Sequence, residues 1–220
     1  MKTMKAPLLF SLPIIFSMTI ASTMQAQTLN GVYRMAGGHE MVAAFQFKSD
    51  HSFEFYFIYG AVDRHAKGTY EIKDNQILLH ADKKPGHDFT VLKALHQGDG
   101  TTVQVTHPNT ALLRHITAVF KKGNETDQQY SDETGRMHTA IVNCDTIYVA
   151  HTLFPDMPTL IYPTAGKNEN YFELTMNPSL AELSFSGFVL QMNGEDLEGS
   201  LPWLFEREKA VFEKEAASGP

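Results

Sequence analysis

Residues 41–59 read MVAAFQFKSDHSFEFYFIY. Phe45 and Phe47 alternate with polar residues before a turn at residues 49–51, and aromatic residues alternate again over residues 53–59. Residues at every second position of a strand share one face of a sheet, so this stretch predicts a β-hairpin with one aromatic face. We expect the rings to form a core rather than to line a cavity, because a chain of this size needs them to bury enough apolar area.

The segments that follow continue the strand pattern. Residues 60–68 interrupt it with charged residues, residues 69–72 and 76–79 flank a tight turn, and residues 89–95 supply a fifth strand. Near-sequential strands joined by short turns predict an antiparallel meander or a small barrel, which we assign to residues 27–96.

Composition also favours an all-β fold. The 220 residues include 15 Gly, 10 Pro, 15 Phe and 8 Tyr, and 43% are apolar while 20% are charged. Frequent turn formers and aromatic residues favour short strands over a few long helices. The same values exclude a collagen-like, a disulfide-stapled and a wholly disordered protein.

A second β module is predicted after residues 97–101, a segment of turn residues without apolar content that marks a boundary. Six later stretches have the character of short strands: residues 102–106, 114–120, 137–143, 146–154, 171–176 and 183–192. Short strands at this spacing predict a β-sandwich, which we assign to residues 101–216.

A short C-terminal helix is predicted to end this second module. Ser200 is a suitable N-cap, and apolar residues including Leu204, Val211 and Phe212 fall on one side of the helix. We expect Trp203, Leu204 and Phe212 to dock this helix.

The N-terminus has the order of a secretory signal peptide. Residues 1–5 carry two lysines, residues 6–20 are almost wholly apolar, and small and polar residues follow. We expect residues 1–26 to be removed by cleavage after Ala26. Two earlier cleavage positions stay open, after Ala21 and after Ser22. A retained membrane anchor is the alternative, but the apolar run contains Pro13 and Ser17 and falls short of the roughly 20 residues that a membrane helix needs.

Charge and cysteine content bear on the compartment and the partners. Removing residues 1–26 takes away two lysines and no acid, so the formal net charge goes from −7 to about −9. We expect a secreted or periplasmic protein with no nucleic-acid partner and no stable membrane insertion after cleavage. The lone Cys144 cannot form an intramolecular disulfide. Its apolar surroundings favour a small buried residue over a thiol nucleophile.

The first module resembles secreted lipocalin-like modules. The residues that carry the resemblance are Gly31-Val32-Tyr33, the aromatic hairpin, Gly68-Thr69-Tyr70 and Ile77-Leu78-Leu79, which follow the family's rhythm of G-x-W/Y, strand and G-T-W/Y without its usual Trp. The resemblance covers residues 29–95 and implies a small antiparallel barrel.

The second module is similar to transthyretin-like carboxypeptidase regulatory modules. Residues 118–123, then Ser131-Asp132-Glu133-Thr134-Gly135 and His138-Thr139-Ala140, follow their pattern of a strand, T-D-x-x-G and a second strand, with residues 124–130 expected as a long loop. Such modules are non-catalytic sandwiches, which implies a structural or binding role. The combined order resembles exported bacterial β-rich proteins.

No sequence motif assigns a catalytic residue, a metal or a cofactor. His39-Glu40 begins like a zincin motif, but no second His follows at the required spacing. The sequence also lacks a G-x-S-x-G elbow, a phosphate-binding glycine loop and a twelve-residue calcium loop. His115, His138 and His151 would converge on zinc or copper if their strands adjoined. The alternative, which the sequence favours, is that they are ordinary sheet residues.

The segment of residues 60–68 is the candidate ligand-binding site. Tyr59, Asp63, Arg64 and His65 place an aromatic ring, an acid, a guanidinium and an imidazole beside glycines. In one interpretation they form a ligand-contact rim, with Arg64 able to grip a carboxylate. In the other, Arg64 pairs with an acid of this chain and stabilises the crossover between hairpins.

These observations lead to two functional hypotheses. The first is an exported, non-enzymatic binding or scaffold protein for a small-molecule or glycan ligand. The second is an extracytoplasmic hydrolase that acts on glycan or peptide through carboxylates or a His-bound metal. Whether the protein is an enzyme stays open in the sequence, although the missing motifs weigh toward a non-enzyme.

Overall fold

The computed structural model describes residues 28–37, 40–60, 62–200 and 209–216. The signal-peptide prediction for residues 1–26 and the docking prediction for Trp203 and Leu204 lie outside these residues. The described strands in chain order are β1 (Gly31–Met35), β2 (Met41–Phe47), β3 (Ser52–Tyr59), β4 (Val62–Lys73), β5 (Gln76–Ala81), β6 (Phe89–Leu95), β7 (Thr101–Thr106), β8 (Ile116–Lys122), β9 (Glu125–Tyr130), β10 (Arg136–Thr139), β11 (Thr146–His151), β12 (Thr159–Ile161), β13 (Tyr171–Met176), β14 (Val189–Asn193), β15 (Asp196–Gly199) and β16 (Ala210–Lys214). Short 3-10 helices span Thr110–His115 and Pro178–Ala181. In this described part of the chain, no helix has the length and apolar character needed to cross a membrane.

Eight strands close into an antiparallel barrel. Around the barrel they follow the order β1, β16, β15, β14, β5, β4, β3, β2. Phe45 pairs with Phe55 across β2 and β3, and Phe47 pairs with Phe53. The all-β class and the aromatic hairpin predicted from the alternating residues are therefore confirmed.

Aromatic rings fill the lumen of this barrel. The ring of Phe45 lies 4.5 Å from that of Phe55, 5.0 Å from Phe212 and 5.7 Å from Phe185. All four side chains are at most 2% exposed. The rings therefore form the barrel core, as expected from the area that the chain has to bury.

Phe185 reaches the lumen from the segment that leads into β14, and its backbone has φ +48°. This left-handed conformation is unfavourable for a bulky residue. The burial of the ring against Phe45, Phe53 and Phe55 offsets that cost.

The chain between β5 and β14 builds a β-sandwich, which we call the insert. One sheet has the order β10, β7, β13, β6, and the other, called the β11 sheet, has the order β12, β11, β8, β9. Val103 and Phe172 from the first sheet share a hydrophobic cluster with Phe120 and Ile147 from the second. The two sheets therefore pack on each other, and their core is separate from that of the barrel.

The order of the two cores along the chain differs from the sequence expectation. The barrel core contains Leu29 and side chains from β1 to β5, from residues 183–197 and from β16, while side chains between residues 89 and 180 form the core of the insert. Strand β6, expected to extend the meander, pairs with β13 of the insert. The three strands β14, β15 and β16 complete the barrel that the N-terminal strands begin. Local alternation cannot show which distant strands pair.

The C-terminal helix prediction is wrong for the described residues. Ala210–Lys214 forms strand β16, in which Phe212 pairs with Met35 and Leu197. Ala210 and Phe212 are buried with an exposed or half-buried residue on either side, which is a strand period rather than a helical one.

Two expected loops are strands. Residues 60–68 mostly belong to β4, where Arg64 and Ala66 face inward while Asp63, His65 and Lys67 face outward. A charged residue at an inward position hid this alternation in the sequence. Residues 125–130, expected within a long loop, form β9 at the edge of the β11 sheet. Every residue of this strand except Tyr130 is polar or charged, so the segment has no apolar face by which a strand could be predicted.

Gly68 lets β4 pair on both sides. It lies opposite Phe53 of β3 and Ala81 of β5. A Cβ atom at this position would lie 2.0 Å from the carbonyl oxygen of His80. Only glycine therefore allows this close approach of β4 and β5.

Candidate functional site

The four residues of the predicted ligand site do not share one surface, because strand alternation separates the three that lie on β4. Asp63 and His65 face outward and are exposed, whereas Arg64 faces inward and is 2% exposed. Tyr59 lies at the end of β3 and is 48% exposed. Only Tyr59 and Arg64 border the same surface groove.

The Arg64 guanidinium is held by backbone carbonyls at the junction between barrel and insert. It donates to the oxygens of Pro155 at 2.5 Å, Glu182 at 3.1 Å and Ala181 at 3.4 Å. Its Cζ lies 5.8 Å from the centre of the Phe154 ring. Arg64 therefore ties β4 to two segments of the chain that are distant in sequence, and its donors are directed toward these carbonyls.

Lys83 forms the second half of this junction. Its ammonium lies 2.5 Å from Asp88 Oδ1 and 2.9 Å from Asp156 Oδ2, and it donates to the carbonyl oxygen of Glu182 at 2.7 Å. The three charged side chains are each at most 5% exposed. We call Arg64, Lys83, Asp88 and Asp156 the junction cluster.

Hydrogen bonds orient Asp156 within the cluster. Ser184 donates to it from its backbone nitrogen at 3.0 Å and from its hydroxyl at 2.7 Å. Ser184 immediately precedes Phe185, so the carboxylate that faces Lys83 also positions the segment that enters the barrel core. The cluster thus joins the two cores through one set of contacts.

Burial shifts the pKa values of two members of the cluster. Desolvation raises the pKa of the Asp88 carboxyl above its ordinary value, although the nearby Lys83 ammonium acts in the opposite direction. Desolvation lowers the pKa of Arg64 from 12.5 to about 10, so its guanidinium is still charged at neutral pH. Two cations thus face two carboxylates without contact with bulk water.

A groove of about 260 Å³ borders this cluster at Arg64, and we call it the junction groove. Its lining includes Phe57, Tyr59, Val62 and Arg64 from the barrel and Leu153 and Pro155 from the insert. Leu153 is 37% exposed, so with Tyr59 it presents apolar surface to solvent in a groove that Arg64 also lines. This arrangement suits a small ligand with an apolar part.

His65 belongs to a different surface. It lines a groove of about 420 Å³ on the outside of the barrel, together with Arg34, Tyr56 and Glu215 among others. Its Nε2 lies 4.0 Å from Glu182 Oε1. Arg34 in turn contacts Glu215 at 2.5 Å and the Tyr56 hydroxyl at 3.0 Å, so the charges in this groove are mostly paired.

The three histidines considered as metal ligands do not converge on one site. His138 lies on β10, where its Nδ1 is 3.0 Å from the Thr102 hydroxyl, whereas His115 and His151 lie next to each other at the β11 sheet with ring centres 6.2 Å apart. Within the described residues, no group of three or more His, Cys, Asp or Glu side chains is placed to hold a metal ion.

His151 is a buried neutral histidine. It is 1% exposed, its Nε2 donates to the carbonyl of Leu112 at 3.2 Å, and its Nδ1 accepts from the backbone nitrogen of Leu153 at 3.3 Å. Both ring nitrogens are thus engaged by backbone. Desolvation lowers its pKa from 6.5 to about 4.

Cys144 is also buried, at 5% exposure, with its thiol 3.5 Å from the Thr101 hydroxyl. Burial raises the pKa of the thiol, so the thiolate is disfavoured. This environment is that of a small core residue.

Sequence reasoning missed Lys83, Asp88 and Asp156. Lys83 and Asp88 lie in the segment 82–88, which also contains Pro85, Gly86 and two exposed charges and has the composition of a surface turn. No local pattern distinguishes a buried lysine from an exposed one in such a segment.

Comparison of the chain with protein-family models, with curated proteins and with solved structures finds no match.

Proposed function

We propose that this chain is an exported, non-enzymatic binding protein that takes a small amphipathic ligand in the junction groove. The observation that carries the proposal is the junction itself, where a mostly apolar groove open to solvent is lined in part by Arg64, a buried cation. An apolar ring of the ligand would pack between Tyr59 and Leu153. An anionic group would be favoured at the end of the groove near Arg64 by the field of the guanidinium.

The use of buried charge supports binding over catalysis. A catalytic acid or base is a titratable side chain with a shifted pKa that faces the substrate. Here the buried charged groups of the junction are engaged with one another and with backbone carbonyls. His151 is likewise engaged by backbone on both ring nitrogens. These contacts suit a rigid two-part scaffold that presents a surface groove.

Export is the second part of the proposal and rests on the residue order at the N-terminus, with basic, apolar and then small polar residues. Expression in a secreting host followed by N-terminal sequencing tests it. We expect mature protein that begins near Gln27. Recovery of chains with an intact N-terminus from a membrane fraction would contradict export with cleavage.

The ligand site is tested with the probe 1-anilinonaphthalene-8-sulfonate, which has an aromatic body and an anionic group. We expect saturable fluorescence enhancement in the wild-type protein and affinity about fivefold to tenfold weaker in Tyr59→Ala and in Leu153→Ser. Leu92→Ser is the matched control, because Leu92 is 57% exposed on β6, away from the groove. Equal probe affinity in wild type and in folded Tyr59→Ala and Leu153→Ser would remove the groove as the binding site.

A further inference from the structure

The outer face of the β11 sheet carries three tyrosines. Tyr130 is 68% exposed and Tyr162 is 67% exposed, while Tyr148 is half-buried between neighbouring strands. The opposite face of the same strands supplies the core of the insert, through residues such as Phe120, Ile147 and Val149. Rings as exposed as these contribute little to folding stability, and they form a group on one face.

Strand register places the three rings along a diagonal. Tyr148 pairs with Leu160 on one side and with Val119 on the other, and Val119 pairs with Gln128, so these four residues form one row across the sheet. Tyr130 lies two residues beyond Gln128, and Tyr162 lies two residues beyond Leu160 on the opposite side of the row.

Strand dimensions give the length of this diagonal. With strands about 4.8 Å apart and a rise of about 3.4 Å per residue, the Cα positions of Tyr162 and Tyr148 are about 8 Å apart. Those of Tyr148 and Tyr130 are about 12 Å apart on the same basis. The whole diagonal is thus about 20 Å long, which is longer than a single sugar or a small metabolite.

The polar groups on this face are mostly uncharged. Its outward residues are Thr117, Val119, Lys121, Thr126, Gln128, Tyr130, Thr146, Tyr148, Ala150, Leu160 and Tyr162. None of them is acidic, although the chain has 25 Asp and Glu and a net charge of −7. Asp127 of β9 points to the other side, where it accepts a hydrogen bond from Thr139 at 2.6 Å.

We propose that this face binds a neutral glycan chain. A pyranose ring has a face of C–H bonds that packs on an aromatic ring and a rim of hydroxyls that exchange hydrogen bonds with neutral groups such as those of Thr117, Gln128 and Thr146. Exposed rings spaced along about 20 Å match a run of several sugars. The negative net charge of the protein disfavours an anionic polymer. The face has no carboxylates, and Lys121 is its single charged side chain, so a neutral polymer has little charge to desolvate there.

This site is separate from the junction groove and takes a different class of ligand, so the proposal goes beyond the function proposed above.

Affinity electrophoresis tests the glycan site with four neutral polysaccharides in the gel: hydroxyethylcellulose, xyloglucan, glucomannan and soluble starch. We expect at least one of them to retard the wild-type protein. Tyr130→Ala and Tyr162→Ala each weaken that affinity about fivefold, and the double variant weakens it more than tenfold.

Tyr59→Ala is the matched control, because it removes a tyrosine that is 48% exposed at the junction groove and leaves the β11 sheet intact. It should be retarded like the wild type. Thermal unfolding of the double variant should match the wild type, since both rings are mostly exposed.

Three results would overturn the proposal. The first is wild-type migration unaffected by all four polysaccharides. The second is equal retardation of the wild type and the double variant. The third is found by sedimentation velocity: the wild type binds none of the polysaccharides and forms a dimer, and the double variant is a monomer. The face would then be an interface between copies of this chain.

Discussion

Arg64 and Lys83 donate hydrogen bonds to the same backbone oxygen, the carbonyl of Glu182, at 3.1 Å and 2.7 Å. Arg64 comes from a barrel strand, and Lys83 comes from the segment in which the chain leaves the barrel for the insert. Glu182 lies where the chain returns. The two cations therefore close the base of the insert, and the two carboxylates of Asp88 and Asp156 balance the charges of Lys83 and Arg64 together.

Replacement of Arg64 should destabilise the protein even in the absence of a ligand. In Arg64→Met the carbonyls of Pro155, Ala181 and Glu182 lose a buried donor, which we expect to cost about 2–4 kcal/mol of unfolding free energy. Urea unfolding measures the change. Lys67→Met, an outward cation on the same strand, is the control and should stay within about 0.5 kcal/mol of wild type. A stable Arg64→Met variant would show that the junction does not depend on these bonds.

Replacement of Lys83 should be more harmful and should depend on pH. Lys83→Met leaves Asp88 and Asp156 buried without their shared cation, at a cost of about 3–5 kcal/mol near neutral pH. Burial already raises the pKa of Asp88, and loss of Lys83 removes an interaction that lowers it. The folded carboxyl then binds its proton more tightly than the unfolded one, so the stability deficit of the variant shrinks as the pH falls.

Unfolding of Lys83→Met by guanidinium chloride at pH 7.5 and at pH 5 checks this expectation. The exposed neighbour Lys84 provides the control variant Lys84→Met, which should resemble the wild type at both values. A deficit that stays constant or grows on acidification would contradict the assignment of Asp88.

His151 should make the wild-type protein less stable in mild acid. Its pKa in the folded state is about 4 against 6.5 in the unfolded state, so the unfolded chain binds more protons between these values. This contribution is complete above about pH 6.5 and is lost as the pH falls toward 4, by about 3 kcal/mol in total. His151→Gln should flatten this part of the stability profile, whereas His138→Gln, at an exposed position, should leave it unchanged.

Phe185 should show a reversed preference between alanine and glycine. Both substitutions remove the buried ring and cost about 3–5 kcal/mol. Because the backbone at Phe185 has φ +48°, glycine also relieves strain, and Phe185→Gly should be more stable than Phe185→Ala by about 1 kcal/mol. At Phe53, in ordinary strand backbone, alanine should be the better of the two. If alanine were the more stable substitution at both positions, the conformation of Phe185 would store no strain.

Some features of this protein follow from its sequence alone because they depend on local period. Alternation over residues 41–59 predicts β2, β3 and the faces on which Phe45, Phe47, Phe53 and Phe55 lie. A strand places every second side chain on one face, so a run of rings at that spacing is already a core surface before any partner is known.

Tertiary structure decided the pairing of distant strands and the roles of the buried charges. Closure of the barrel by β16 depends on a chain return that follows the whole insert, and local alternation holds no information about it. Arg64 could be read from the sequence as a solvent-facing ligand contact or as part of a structural pair. Its burial follows from the carbonyls of Pro155, Ala181 and Glu182, which lie far along the chain and come within reach only when the insert folds back on the barrel.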